Sequence, residues 1–99
     1  MNIHIPSDQA TLCCLITMEL ERFPGEHYYQ VSYDPYVRMI GIQLADMGNK
    51  WVPVDGARFY QWLHNTPGLK WRDVVAMLTR KWAQLKKQKL NQQQPIEHQ

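Results

Sequence analysis

The side chains of this sequence that could carry out chemistry are its histidines, cysteines and carboxylates, and none of them forms a recognisable catalytic or metal-binding pattern. The four histidines lie in four separate segments, without the close spacing that a zinc site requires. Asp46 and Asp55 flank a predicted strand and could form an acid–base pair, but a turn and a helix cap already account for both. The sequence contains no phosphate-binding loop, no dinucleotide fingerprint, no H-E-x-x-H and no C-x-x-C. We therefore predict no enzymatic activity, no cofactor and no metal ligand.

The two cysteines, Cys13 and Cys14, are adjacent and lie in an apolar segment. Neighbouring helical residues point about 100° apart, so a disulfide between these two would be strained. We interpret both as small buried hydrophobic residues. The absence of a signal-peptide pattern at the N-terminus and of an apolar run long enough to span a bilayer makes the cytoplasm the expected location.

A helix and three strands are predicted in the first half of the chain. Residues 10–23 are apolar on almost every helical face, which predicts a buried helix with Ser7 as its N-cap. Residues 27–33, 36–44 and 50–54 are rich in β-favouring residues and are separated by turn signals, which predicts an antiparallel meander. Pro53 cannot donate to a strand ladder, so we place the third strand at the edge of the sheet.

Two helices are predicted in the second half. A short one over residues 57–64 follows the Asp55-Gly56 cap, and a long one begins at residue 70. The polar, aperiodic tail is typical of disorder. The predicted fold is one α+β domain over residues 1–90, with a buried N-terminal helix, a three-stranded antiparallel meander, a short helix and a long amphipathic basic C-terminal helix, followed by a disordered tail over residues 91–99.

Charge is distributed unevenly along the chain. Residues 1–69 carry four basic and seven acidic side chains, whereas residues 70–89 carry seven basic side chains and one acidic one. On a helical projection, six large apolar residues share one arc about 100° wide, which predicts that both tryptophans of this helix face the core. They are Trp71, Val74, Val75, Leu78, Trp82 and Leu85. The basic residues surround the rest of the helix and form no single stripe. The predicted contacts to nucleic acid or another anionic partner are Lys70, Arg72, Arg80, Lys81, Lys86, Lys87 and Lys89.

Tyrosines are concentrated around the first predicted hairpin, and strand alternation cannot bury all of them. Exposed tyrosine beside arginine is typical of protein-binding hot spots, although cross-strand aromatic pairs are the alternative explanation. The predicted partner-binding residues are Tyr28, Tyr33, Tyr36 and Arg38.

These patterns favour a small non-catalytic interaction protein that regulates or inhibits a protein or nucleoprotein complex. Accessory proteins of phages and plasmids, including inhibitors of host defence complexes, are of this general type. The alternative is direct nucleic-acid binding through residues 70–89, in an arrangement resembling a helix-turn-helix. Self-association as a homodimer through strand 50–54 is a further hypothesis, although Pro53 opposes a long pairing. We predict no membrane partner.

Overall fold

The computed structural model describes the backbone of residues 5–97 and the side chains of residues 5–88. It contains three helices and one three-stranded antiparallel sheet, so the predicted α+β fold and its order of elements are confirmed.

Helix α1 spans Gln9–Glu21. Its N-cap is Asp8, whose carboxylate accepts hydrogen bonds from the backbone N–H of Thr11 at 2.9 Å and from the Thr11 hydroxyl at 2.6 Å. The prediction of Ser7 as the cap was wrong by one residue, because Asp8 has the extended backbone that an N-cap requires.

The sheet is a meander of β1 (Tyr29–Asp34), β2 (Met39–Leu44) and β3 (Trp51–Val54), in that spatial order. Strand β3 therefore lies at an edge, as Pro53 predicted. Strand β1 begins at Tyr29, later than predicted, and the ring of the preceding His27 stacks on Trp71 with 4.1 Å between the ring centroids.

The hydrophobic core lies against one face of the sheet. Helix α1 packs on this face, and helix α2 (Gly56–Asn65) packs against α1 and contributes to the same core. Helix α2 is capped by Asp55, which accepts a 3.2 Å bond from the Arg58 N–H. Among the residues whose side chains are described, the buried hydrophobic ones are Leu12, Ile16, Leu20, Ile40, Ile42, Leu44, Val52, Val54, Phe59, Tyr60, Leu63, Val74 and Leu78.

On the opposite face of the sheet, the indole of Trp51 lies directly over Gly41. A Cβ atom at position 41 would stand 1.8 Å from Cε2 of Trp51, so only glycine leaves room for this ring. The Trp51 indole N–H donates to the Ser32 hydroxyl at 3.2 Å. Gly41 therefore marks a close approach between the strand backbone and an aromatic ring.

Helix α3 spans Trp71–Glu97. Val74 and Leu78 are fully buried, and Trp71, Val75 and Trp82 of the same arc are half-buried against the core. Leu85 of the arc is half-buried and lines a groove described below. The apolar arc is confirmed, but the two tryptophans within it are only partly buried. The backbone is helical past the predicted domain boundary at residue 90. The predicted disorder of residues 91–99 stays a prediction, since side chains beyond Gln88 and the last two residues lie outside the described part.

Candidate protein-binding groove

The four residues predicted to bind a partner are exposed, but they do not form one patch. Tyr36 and Arg38 lie in the turn between β1 and β2, where Tyr36 is 95% exposed. Tyr28 precedes β1 and so lies at the other end of that strand, about 20 Å away at 3.4 Å per residue. Tyr33 is only moderately exposed. A partner role for this set stays a prediction.

Beside the turn, the outer face of the sheet and the second half of α3 enclose an apolar groove of about 280 Å³. We call it the hairpin groove. Trp51 and Pro53 point into it because their neighbours Val52 and Val54 point into the core. Its lining residues are Val37, Met39, Trp51, Pro53, Trp82, Leu85 and Lys86.

The charges around the groove are positive. Lys86 lies in its lining, and a shallower continuation of the groove along α3 adds Lys81 together with Gln84 and Gln88. Among the side chains that the structure describes, no acidic one lines either part. Lysine stems pack along apolar surface while their ammonium groups stay in water, so this rim combines an apolar floor with positive charge.

The sequence contained part of the signal for this groove. The alternation of strand 50–54 places Trp51 and Pro53 on one face, and the helical projection places Trp82 beside Leu85. What the sequence could not show is that α3 packs along β3 at the sheet edge. That packing joins the two surfaces and leaves Val37 and Met39 of the hairpin as the opposite wall.

The predicted anionic-partner residues are placed as the projection expected, around the exposed side of α3. Lys70, Arg72, Arg80, Lys86 and Lys87 are exposed and Lys81 is half-buried, whereas the side chain of Lys89 lies outside the described residues. Among the described side chains, none of these cations lies within 4.0 Å of a carboxylate. They remain free to attract an anionic partner.

The residues considered for chemistry have structural roles. The Asp46 carboxylate accepts from the Trp71 indole N–H at 3.2 Å, and Asp55 caps α2. The sequence did not indicate that Glu19, which is 8% exposed, would accept from Nδ1 of His64 at 3.1 Å and so join α1 to α2. Their separation of 45 residues left no local signal.

The cysteines are less buried than predicted. Cys13 is half-buried and Cys14 is exposed, because Cys14 lies on the outward side of α1. Partial burial, together with the neighbouring Cys14, raises the pKa of the Cys13 thiol above its usual value. A raised thiol pKa disfavours the reactive thiolate. In the part of the chain that the structure describes, no group of three or more histidine, cysteine or acidic residues could hold a metal ion.

Comparison with known proteins identified no matching family model, no similar curated protein and no similar solved structure. Within the described residues, no helix has the length and apolar character needed to cross a membrane.

Proposed function

We propose that this chain is a non-catalytic interaction protein that binds a segment of a partner protein in the hairpin groove and thereby regulates or inhibits that protein or its nucleoprotein complex. The observation that carries the proposal is the apolar groove of Trp51, Trp82, Met39 and their neighbours. It is bordered by lysines, and no acid lines it in the described part of the chain. Aromatic and methionine side chains are enriched in protein-binding surfaces, and methionine adapts its shape to different partners.

The chemistry of the groove specifies the partner segment. Its floor accommodates one or two aliphatic or aromatic anchors, because a volume of about 280 Å³ cannot hold more than a few side chains. Lys81 and Lys86 favour aspartate or glutamate next to those anchors. The occupant we propose is therefore a short acidic segment with hydrophobic anchors. The setting we propose is the cytoplasm, and accessory proteins of phages or plasmids remain the general type that this function resembles.

A peptide-display selection against the full chain tests the proposal. We expect the selected peptides to combine hydrophobic anchors with flanking acids. Their binding should weaken about tenfold or more in Met39→Asp, because a carboxylate in the groove wall loses apolar contact and repels the acids. The indole N–H signals of Trp51 and Trp82 should shift in NMR spectra on titration with peptide.

Met18→Asp is the matched control. Met18 is 56% exposed and lies on α1, so the same substitution there adds the same charge outside the groove. We expect unchanged peptide affinity in this variant. Selected peptides that bind wild type and Met39→Asp equally well, or that lack acids, would contradict the proposal.

Direct nucleic-acid binding through α3 is the second candidate, and the unpaired cations of the described part of α3 favour it. A helix-turn-helix interpretation gains less support, since α2 packs mainly against α1. Titration of a short duplex DNA and a single-stranded RNA at two salt concentrations distinguishes the candidates. Phosphate contacts predict a loss of about 0.9 log units of affinity per log unit of salt for each phosphate neutralised on duplex DNA. No binding at low salt would exclude this candidate.

A further inference from the structure

The free edge of strand β1 differs from the other edge of the sheet. Edge strands usually carry a device that prevents pairing with another chain, such as a proline, a lysine or a covering helix. Strand β3 has Pro53 and the neighbouring helix α3. Strand β1, with the sequence YQVSYD, has no proline and no basic residue, and its single charge is at its last position, Asp34.

The hydrogen-bond pattern of β1 defines which backbone groups are free. The Tyr28 carbonyl accepts from the Ala45 N–H at 3.0 Å, so residue 28 and its alternate neighbours direct their N–H and C=O groups toward β2. The intervening residues Tyr29, Val31 and Tyr33 therefore direct theirs away from the sheet.

These three residues form a self-complementary set. If a second β1 pairs antiparallel about a two-fold axis at Val31, Val31 faces its own copy and Tyr29 faces Tyr33 of the copy. Every pair then joins two residues whose backbone groups point outward, so the ladder is complete without any rearrangement of β1. The pairing also sets tyrosine opposite tyrosine on the core side, and aromatic cross-strand pairs are among the favourable ones.

Whether a second β1 can approach depends on the side of helix α1 that lies above the free edge. The side of α1 toward α2 carries Glu19, which contacts His64, and the opposite side carries Glu21. Burial, and then the negative charge of Glu21, raises the pKa of the Tyr29 phenol. On a helical projection, Ala10 and Thr17 share the side of Glu21. The helix therefore presents mostly short side chains above the free edge.

We infer that this protein forms a two-fold symmetric homodimer in which the β1 strands pair antiparallel about Val31 and the two sheets join into one of six strands. The sequence hypothesis placed self-pairing on β3. The unprotected edge is β1. It is the opposite edge of the sheet from β3, beside which α3 forms a wall of the hairpin groove, so the dimer would leave both grooves accessible.

Site-specific cross-linking tests the register. In a Cys13→Ala, Cys14→Ser background, Val31→Cys should form a disulfide-linked dimer under mild oxidation, because hydrogen-bonded antiparallel partners have Cα atoms about 5.5 Å apart, within disulfide range. Ser32→Cys is the matched control. In the proposed register position 32 faces position 30 of the copy, and the two residues at position 32 are about 8 Å apart, beyond disulfide range.

Sedimentation equilibrium of the wild-type chain tests the dimer itself. We expect a concentration-dependent dimer that Val31→Pro weakens by about tenfold or more, since proline removes the two N–H donors at the axis. The fold should tolerate this substitution, because that N–H faces away from the sheet. A monomer at every concentration, or equal cross-linking at positions 31 and 32, would overturn the inference. If Val31→Pro fails to fold, the cross-linking pair still decides it.

Discussion

At the scale of single residues, local hydrogen bonds begin each of the three helices. Asp8 caps α1, Asp55 caps α2, and the Asp73 carboxylate accepts from the Lys70 N–H at 2.9 Å at the start of α3. Each carboxylate also lies at the positive end of a helix dipole, where a negative charge is favourable. The three helices therefore share one chemical means of starting, an aspartate side chain that accepts a backbone N–H at the first turn.

Asp8 gives a pH-dependent prediction. Hydrogen bonds from the Thr11 hydroxyl, and then from its backbone N–H, hold the pKa of the Asp8 carboxyl below its usual value of 3.8. Because the folded state binds the proton less readily, the stabilisation is present above that usual value and is lost as pH falls through the lowered one. Asp8→Ala should therefore lower the urea midpoint at about pH 7 and have a smaller effect at about pH 2.

Asp8→Asn is the control for this experiment, because its amide oxygen can still accept from Thr11 but does not titrate. We expect the difference in urea midpoint between Asp8→Asn and Asp8→Ala to be similar at both pH values. An equal effect of Asp8→Ala at both pH values would show that the carboxylate charge does not contribute.

At the scale of elements, α3 is first a packing helix. Leu78→Ala should reduce the free energy of unfolding by about 2–5 kcal/mol, because Leu78 is fully buried and the deletion leaves a cavity. Arg80→Ala, two residues later on the exposed side, should change it by no more than about 0.5 kcal/mol. Urea unfolding of both variants measures the difference. A similar loss of unfolding free energy in both variants would mean that the charged side of the helix also contributes to folding.

Local sequence patterns predicted some features of the helices and strands but not which of them become neighbours. Helical periodicity predicted the arc that buries Val74 and Leu78, and Pro53 predicted the edge position of β3. Both are local patterns, which a helix or strand repeats at fixed intervals. The hairpin groove and the Glu19–His64 contact depend on which elements become neighbours, and that is set by packing between distant segments.

At the scale of the whole molecule, α3 makes the protein elongated. The extents are 51, 29 and 23 Å, and the radius of gyration is 15.2 Å, compared with about 13 Å for a compact domain of this length. The second half of α3 thus supplies a wall of the hairpin groove while having the core on one side only. Its contribution to stability should decrease toward its C-terminus.

Deletion of residues 91–99 tests the predicted domain boundary at residue 90. The core residues among the described side chains all precede this segment, so we expect the truncated chain to unfold within about 0.5 kcal/mol of the full chain. Its amide spectrum should retain the signals of residues 5–88. A larger loss of stability would place the segment within the folded domain and contradict the boundary.

The packing of Trp51 over Gly41 has a consequence for how this sequence can evolve. A side chain at position 41 requires the loss of the indole at position 51, and while the indole is present, position 41 is restricted to glycine. In a set of homologous sequences, the two positions should therefore change together. A lineage that replaces Gly41 would lose one wall of the hairpin groove in the same step, so covariation of this pair would record where the groove has been retained.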